Sequence, residues 1–163
     1  MAKWGEITWI FLHTLSMKIT EEQYTQSKAI LFDTVVTVCK CLPCPDCQQH
    51  AILYMKTQKV PETLDQFKTM IWRFHNVVNV NTKKRTYPIE ILEIYKRVNL
   101  TKAFHYCRIS ILTQPYNPKM ISTQLFAKNS FAYLLTKLTE EHILSWVFTG
   151  LDKGIQYKYR KYS

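Results

Sequence analysis

The sequence contains few glycines and no long apolar run. Only three of its 163 residues are glycine. Antiparallel sandwiches and barrels use many tight turns, which are commonly built with glycine, so this scarcity favours helices. No uninterrupted apolar stretch reaches the roughly 18–20 residues needed to span a bilayer. The most apolar stretch, residues 29–38, is interrupted by Asp33. These absences predict a helical protein with no transmembrane segment.

Acidic residues are also scarce, with 12 Asp and Glu against 22 Lys and Arg, for a net charge of +10. A basic surface can favour nucleic acid, anionic membranes or acidic partners, and it can equally be a solvated lysine-rich surface. The clearest basic cluster is the segment 153–161, where tyrosines alternate with basic residues. Such a pattern can contact RNA. Chain ends more often fray or dock on a neighbour, so nucleic-acid binding is not expected.

The N-terminus lacks the apolar segment of a secretory signal, which makes the cytoplasm the expected compartment. Disulfides there are usually transient and catalytic rather than structural. Four of the five cysteines nevertheless fall within nine residues, at Cys39, Cys41, Cys44 and Cys47. A cluster of this kind is the first place to look for function.

Hydrophobic periodicity predicts an all-α fold. Leu42-Pro43 ends the second helix, and Pro45 suits the first position of the third, with Cys44 as its N-cap. Pro88 is expected to begin a fifth helix. We therefore expect a four- or five-helix bundle over residues 1–108. The first four predicted helices are 6–18, 20–39, 45–57 and 62–81, and the apolar positions of the fifth are Ile89, Leu92, Tyr95 and Val98.

A C-terminal helical extension, residues 109–163, is expected to follow the bundle. It begins with a turn-rich linker over 113–118. Helical patterns follow at about 120–137 and 140–149, with Thr139 as a plausible N-cap and Gly150 as a plausible stop. The sequence does not indicate what this extension does.

The segment Cys44-Pro-Asp-Cys47 is the central motif. Two thiols three residues apart across a helix start can close a disulfide, and the helix N-terminus stabilises a thiolate. Redox exchange needs both a nucleophilic thiolate and a good leaving group. A thioredoxin-like fold is disfavoured because no strand pattern precedes Cys44.

A zinc site is the alternative interpretation of the same cluster, because its four cysteines and His50 are suitable zinc ligands. Structural zinc sites usually hold two ligand pairs on separate knuckles with a longer spacer. Here all five candidates lie within twelve residues. Redox chemistry is therefore favoured, and a non-enzymatic, zinc-stabilised basic binding module remains the alternative.

Two further groups of residues suit a polar, ring-containing cofactor. His75, Asn79 and Lys83 stand at i, i+4 and i+8, so one helix face presents three polar groups in a row. A core-facing helix would not normally do so, whereas a helix facing a cofactor would. Trp9 and His13 share a face of the first helix and offer flat surfaces for stacking on rings.

Three separated segments together resemble the Erv/ALR family of FAD-linked sulfhydryl oxidases. They are GEITWIFLHTL at 5–15, LPCPDCQQHA at 42–51 and FHNVVNVNTKK at 74–84. The similarity covers about residues 3–100 and is greatest to members encoded by large double-stranded DNA viruses. It implies an FAD-holding helical bundle that oxidises protein dithiols through a small thiol carrier, with oxygen as the electron acceptor and hydrogen peroxide as the product. It also implies a homodimer, placed in the host cytoplasm or the virion if the source is viral.

The resemblance also implies roles for individual residues. Cys44 and Cys47 would form the redox disulfide, with Cys47 against the isoalloxazine ring and Cys44 facing incoming thiols. No metal site is expected, and a catalytically silent virion protein of the same fold is a further alternative. Possible shuttle cysteines are Cys39, Cys41 and Cys107. Residues expected to contact FAD are Gly5, Trp9, His13, His50, His75, Asn76, Asn79, Lys83 and Lys84, with Lys83 or Lys84 near the phosphates.

Overall fold

The computed structural model describes residues 4–145 of the chain, and this part is helical without a strand. The predicted all-α fold is confirmed. Two short 3-10 segments, Ile89–Arg97 and Pro118–Met120, connect the α-helices. The six α-helices of the described residues are α1 Trp4–Lys18, α2 Glu21–Lys40, α3 Pro45–Lys56, α4 Leu64–Asn81, α5 Leu100–Leu112 and α6 Ile121–Glu140.

Side-chain caps begin four of these helices. The side chain of each cap accepts a hydrogen bond from the backbone N–H three residues later, which satisfies a donor that the helix leaves unpaired. The cap of α2 is a full capping box with Gln23. The cap of α3 is the sulfur of a cysteine, as the sequence predicts. The four capping residues are Thr20, Cys44, Thr63 and Asn99.

Helix α1 is the centre of the bundle. It packs against α4, α5 and the 3-10 segment Ile89–Arg97, while α2 packs against α3, α4 and α6. Phe11 on α1 is fully buried and meets Phe104 on α5 edge-on, with 5.5 Å between ring centroids. This central position brings the polar side chains of α1 next to those of α4.

The prediction of a fifth α-helix from Pro88 is wrong. Residues 89–97 form a 3-10 segment, and a separate helix, α5, starts after Asn99. The apolar positions Ile89, Leu92 and Tyr95 recur every three residues. This spacing matches the three residues per turn of a 3-10 helix, in which side chains at i and i+3 eclipse. An α-helical period of 3.6 would move them around the axis.

The extension belongs to the same core as the bundle. The predicted boundary at residue 108 falls inside α5, and Phe131 and Leu134 of α6 join the main cluster of buried apolar side chains. Phe104 on α5 contacts Phe131 on α6, with 5.9 Å between ring centroids. Within residues 4–145, no helix is both long and apolar enough to cross a membrane.

The helix predicted at 140–149 is wrong over its described residues, and Thr139 is not an N-cap. Helix α6 continues to Glu140, and the Thr139 hydroxyl donates to the Leu135 carbonyl inside it. His142, at φ 56°, then ends the helix: its N–H donates to the Thr139 carbonyl, and the Ile143 N–H to the Leu138 carbonyl. This pair of bonds is a Schellman motif, a common helix stop. Gly150 and the basic segment 153–161 lie outside the described residues.

Candidate functional site

Four aromatic rings from three elements meet beside α1, and we call them the aromatic cluster: Trp9, His13, His75 and Tyr95. Trp9 and His75 are stacked, with centroids 4.2 Å apart and an interplanar angle of 11°. His13 stacks on Tyr95 at 4.9 Å. Nε2 of His13 lies 2.9 Å from Nδ1 of His75, which is a hydrogen bond. The predicted pairs from α1 and α4 are therefore brought together, and Tyr95 joins them.

Both histidines of the cluster are neutral. Burial, together with the nearby His75, lowers the pKa of His13 to about 3. Burial, together with the charge of Lys84, lowers the pKa of His75 to about 4. A neutral imidazole has one N–H donor and one bare nitrogen, so one ring donates and the other accepts in the bond between them.

The buried polar atoms at this site have capacity for a further partner. Nδ1 of His13 and Nδ2 of Asn79 are buried without a hydrogen-bond partner. Buried polar groups are nearly always paired, so such atoms call for an explanation. A ligand that carries both rings and polar groups would pair with them, and FAD is of this kind. The residues present therefore fit the cofactor that the sequence predicts.

The side chain of Asn76 has another role. Its Nδ2 donates to the Tyr87 carbonyl at 2.9 Å, and its Oδ1 accepts from the Tyr87 N–H at 3.0 Å. Nε1 of Trp72 donates to the same carbonyl at 2.9 Å. Asn76 thus anchors the segment that follows α4. Because both of its polar atoms are engaged, the arrangement does not favour the predicted contact with FAD.

The predicted phosphate-binding lysines lie where α4 ends. Lys83 adopts φ 57°, and the N–H of Lys84 donates to the Asn79 carbonyl at 2.7 Å, which completes a Schellman motif. Both side chains are exposed. The effect of Lys84 on the pKa of His75 places its charge near the aromatic cluster. Arg85, which the sequence prediction omitted, lies 6.0 Å from the Tyr87 ring centre and extends this basic run.

None of the ring contacts described above involves Gly5 or His50. Gly5 is in the first turn of α1, and a Cβ added there would meet no atom within 4 Å, so packing against the protein does not require glycine. His50 is exposed on α3, three residues after Cys47. Their predicted contacts with FAD stay predictions.

The predicted disulfide joins Cys44 and Cys47 at the start of α3. Their Cα atoms are 5.2 Å apart, within the usual range for disulfides. Sγ of Cys44 accepts from the Cys47 N–H at 3.3 Å. In the reduced pair, that contact and the helix N-terminus stabilise a Cys44 thiolate. Cys44 is half-buried, whereas Cys47 is exposed.

Aromatic side chains join α3, whose first turn carries the disulfide, to the aromatic cluster. Ala51 and Tyr54 follow Cys47 at i+4 and i+7, so they share its face of α3. Tyr54 stacks on Phe74 of α4 with centroids 4.5 Å apart, and Phe74 meets Trp9 edge-on at 5.1 Å. Sequence reasoning missed Tyr54 and Tyr95. The seven-residue spacing from Cys47 was the available clue to Tyr54.

The predicted shuttle cysteines are buried. Burial raises the pKa of Cys39 and of Cys107 to about 12, and that of Cys41 to about 11. All three are free thiols. A shuttle needs a sulfur that the substrate can reach, and these three sulfurs do not meet that requirement in this arrangement.

The zinc alternative gains no support from the described residues. Two of its proposed ligands are buried thiols, two are joined in a disulfide, and His50 is exposed. Over residues 4–145, no group of three or more His, Cys, Asp or Glu side chains is arranged to hold a metal ion.

The described residues thus form a helical bundle with a disulfide at a helix N-terminus and a cluster of aromatic and polar side chains, an arrangement suited to thiol–disulfide exchange beside a cofactor. The model of the Erv1/Alr family matches residues 6–99, more than half of the chain, and this protein belongs to that family. The matched region holds both the disulfide and the aromatic cluster and ends just before α5. No curated protein and no solved structure matches the chain. At the level of the family, membership implies FAD-linked sulfhydryl oxidase activity.

Proposed function

We propose that this protein is an FAD-dependent thiol oxidase that forms disulfide bonds in protein substrates and reduces oxygen to hydrogen peroxide. The overall reaction is 2 R–SH + O2 → R–S–S–R + H2O2. The observation that carries the proposal is the Cys44–Cys47 disulfide at the start of α3. It shares a helix face with Tyr54, which stacks on Phe74, and Phe74 meets Trp9 edge-on. Family membership supports the chemistry in general terms.

Cys44 and Cys47 carry the thiol exchange. A substrate thiolate attacks Sγ of Cys44, a new substrate–Cys44 bond forms, and Cys47 leaves as a thiolate with the electron pair of the broken bond. A second substrate thiolate then attacks the substrate sulfur and releases Cys44. The substrate leaves as a disulfide, and both cysteines are reduced. Bound FAD supplies the two-electron redox chemistry that links this reduced pair to oxygen.

The cofactor would be held by residues of α1 and α4. The rings of Trp9, His13 and His75 offer stacking surfaces, and the unpaired Nδ2 of Asn79 offers a hydrogen-bond donor. Because His13 and His75 are neutral, they can bind polar groups without the cost of a buried charge. The exposed amines of Lys83 and Lys84 would face the phosphates.

The partners and the location follow from the resemblance of the sequence. Protein dithiols, reached through a small thiol carrier, are the proposed substrates, and the proposed assembly is a homodimer. The proposed location is the cytoplasm, or the host cytoplasm and the virion if the protein is viral. In a reducing compartment, an oxidase of this kind would supply disulfides that otherwise do not persist.

The test is a visible absorption spectrum of the purified protein before and after addition of dithiothreitol under air. We expect a flavin band that bleaches and then recovers while oxygen is consumed. Cys44→Ser should abolish turnover and retain the flavin, and Cys39→Ala is the matched control. A colourless protein that takes up no added FAD would refute the proposal. Bound flavin without turnover would indicate a structural protein of the same fold.

The order of the two cysteines is tested by trapping. If Cys44 receives the substrate, Cys47→Ser should retain a Cys44–substrate disulfide when it is given a substrate protein whose cysteine is activated as a mixed disulfide with thionitrobenzoate, because no Cys47 thiolate is present to displace the substrate. Cys44→Ser should accumulate none. The opposite pattern would assign the substrate-facing role to Cys47, which is the more exposed of the two.

A further inference from the structure

Helix α6 lies outside the region matched by the family model, yet it contacts the chain on both sides of Cys44. Nε2 of Gln48, in the first turns of α3, donates to the Thr123 hydroxyl at 3.4 Å. About two turns of α6 beyond Thr123, the Ser130 hydroxyl is hydrogen-bonded to the Cys41 thiol. This bond partly opposes the increase in the pKa of Cys41 that burial causes. One side of α6 is therefore held directly beside the redox disulfide.

An exposed aromatic side chain lies between these two contacts. Thr123, Phe126 and Ser130 stand at i, i+3 and i+7, so they share one side of the helix, which we call the α6 edge. Phe126 is 43% exposed although its neighbours on that side pack against the redox segment. Tyr133, one turn further, is 49% exposed. Leu125 is 62% exposed, but it stands two residues from Thr123 and therefore points away from the α6 edge.

The sequence of α5 and of α6 up to Thr139 carries only positive charges. Residues 94–139 contain seven Lys and Arg and no Asp or Glu. Lys119 is exposed just before α6, and Lys40 is exposed where α2 ends, four residues before Cys44. A surface that combines exposed aromatic rings with this charge complements a polypeptide that carries apolar and acidic side chains.

We propose that the α6 edge is the docking surface for the substrate polypeptide of the redox disulfide, with Phe126 as its apolar anchor. The occupant is a cysteine-bearing segment with apolar and acidic residues next to the reactive thiol. This inference rests on the thiol-exchange function proposed above and adds the class of substrate. We expect a small thiol to attack Cys44 without contacting Phe126, so that the anchor affects protein and peptide substrates alone.

The test measures a single exchange step that needs neither flavin nor oxygen. In Cys47→Ser, the Cys44 thiolate attacks the sulfur of a peptide cysteine that is activated as a mixed disulfide with thionitrobenzoate. A Cys44–peptide disulfide forms, the peptide–thionitrobenzoate bond breaks, and the coloured thionitrobenzoate leaves with the electron pair. The proton of the Cys44 thiol is lost to solvent beforehand, when the thiolate forms. Two peptides are compared, one with Leu, Phe and Asp around the cysteine and one with Gly and Ser.

We expect Cys47→Ser to react roughly tenfold faster with the apolar, acidic peptide than with the Gly-Ser peptide, as truncation of an aromatic anchor commonly costs tenfold or more. Adding Phe126→Ser should remove this preference and leave the Gly-Ser rate unchanged. Adding Leu125→Ser, the matched control, should preserve the preference. Raising the salt concentration should reduce it, because salt screens charges on exposed side chains.

The alternatives give distinct results. Equal rates for the two peptides, or equal losses in Phe126→Ser and Leu125→Ser, overturn the docking surface while thiol exchange stands. Reaction of Cys44 with neither peptide overturns the proposed function and this inference together. A fall in oligomeric state in Phe126→Ser, measured by analytical ultracentrifugation, would assign the α6 edge to a contact between two copies of the chain instead.

Discussion

Nε2 of His13 and Nδ1 of His75 lie 2.9 Å apart, and both imidazoles are neutral because burial lowers the pKa of each. Protonation of both rings would place two donors opposite each other and break this bond. The pair joins α1 to α4 at the aromatic cluster, so its protonation state affects both stability and the shape of the site.

Stability should therefore fall in mild acid. The folded pKa values, about 3 and about 4, lie below the ordinary histidine pKa of 6.5, so the unfolded chain binds more protons once the pH drops below that value. The stability associated with the two neutral histidines is fully present above the pKa of the unfolded chain and is lost as the pH falls below it. At pH 5, the lowered pKa of His13 alone should reduce the free energy of unfolding by about 2 kcal/mol relative to neutral pH. The lowered pKa of His75, which is partly exposed, should reduce it by less.

Urea unfolding at pH 7 and pH 5 measures this loss. His13→Gln and His75→Gln should each reduce the difference between the two pH values, and either variant suffices if the other fails to fold. His142→Gln, at an exposed position, is the control and should leave the difference unchanged. The same pH dependence in wild type and in both cluster variants would contradict the assignment.

Asn76 should contribute to stability through the backbone of Tyr87. Asn76→Ala removes two hydrogen bonds to that residue, and Trp72→Phe removes one to the same carbonyl. At about 1 kcal/mol per bond, we expect losses of about 2 and about 1 kcal/mol. Unfolding in urea gives both values, and proteolysis at residues 82–88 should accelerate in the same order. Reduced flavin binding by Asn76→Ala without a loss of stability would instead support its predicted contact with FAD.

Lys83→Gly should stabilise the protein. The φ of 57° is a left-handed conformation, which is unfavourable by about 1 kcal/mol for a residue with a Cβ. Glycine has no Cβ and adopts this conformation without that strain. Lys84→Gly is the matched control, because it removes the same charge at a residue without a positive φ and should be neutral or slightly destabilising. Thermal unfolding of the two variants side by side measures the difference. Equal stabilities would show that the turn carries no such strain.

The three buried thiols should be inert in the folded protein. With the Cys44–Cys47 disulfide intact, we expect almost no reaction with a thiol reagent under native conditions and three reacting thiols after unfolding in guanidinium. Cys39→Ala and Cys107→Ala should keep the turnover of both dithiothreitol and a protein substrate. Rapid labelling of one native thiol, together with loss of protein turnover alone in its variant, would restore the shuttle role.

Local sequence patterns predicted the elements that depend on local interactions. Thr20 and Cys44 cap helices because their side chains reach a backbone N–H three residues away, and Pro45 suits a first helical turn. The spacing of Ile89, Leu92 and Tyr95 could also have predicted the observed structure, since a period of three indicates a 3-10 segment rather than an α-helix. The prediction for Thr139 was wrong because threonine occurs both at helix N-caps and inside helices. The residue type alone does not distinguish the two positions.

The sequence by itself determined helices α1 to α4, the disulfide-forming spacing of Cys44 and Cys47, and the shared face of His75 and Asn79, because all of these depend on residues within a few positions of each other. Only the tertiary structure decided that Tyr95 stacks on His13, that Asn76 binds the backbone of Tyr87, and that α6 lies beside the redox disulfide. It also decided that the remaining thiols are buried: Cys39, Cys41 and Cys107. Such contacts arise where faces of distant helices meet, and burial and hydrogen bonding there depend on packing across the whole bundle.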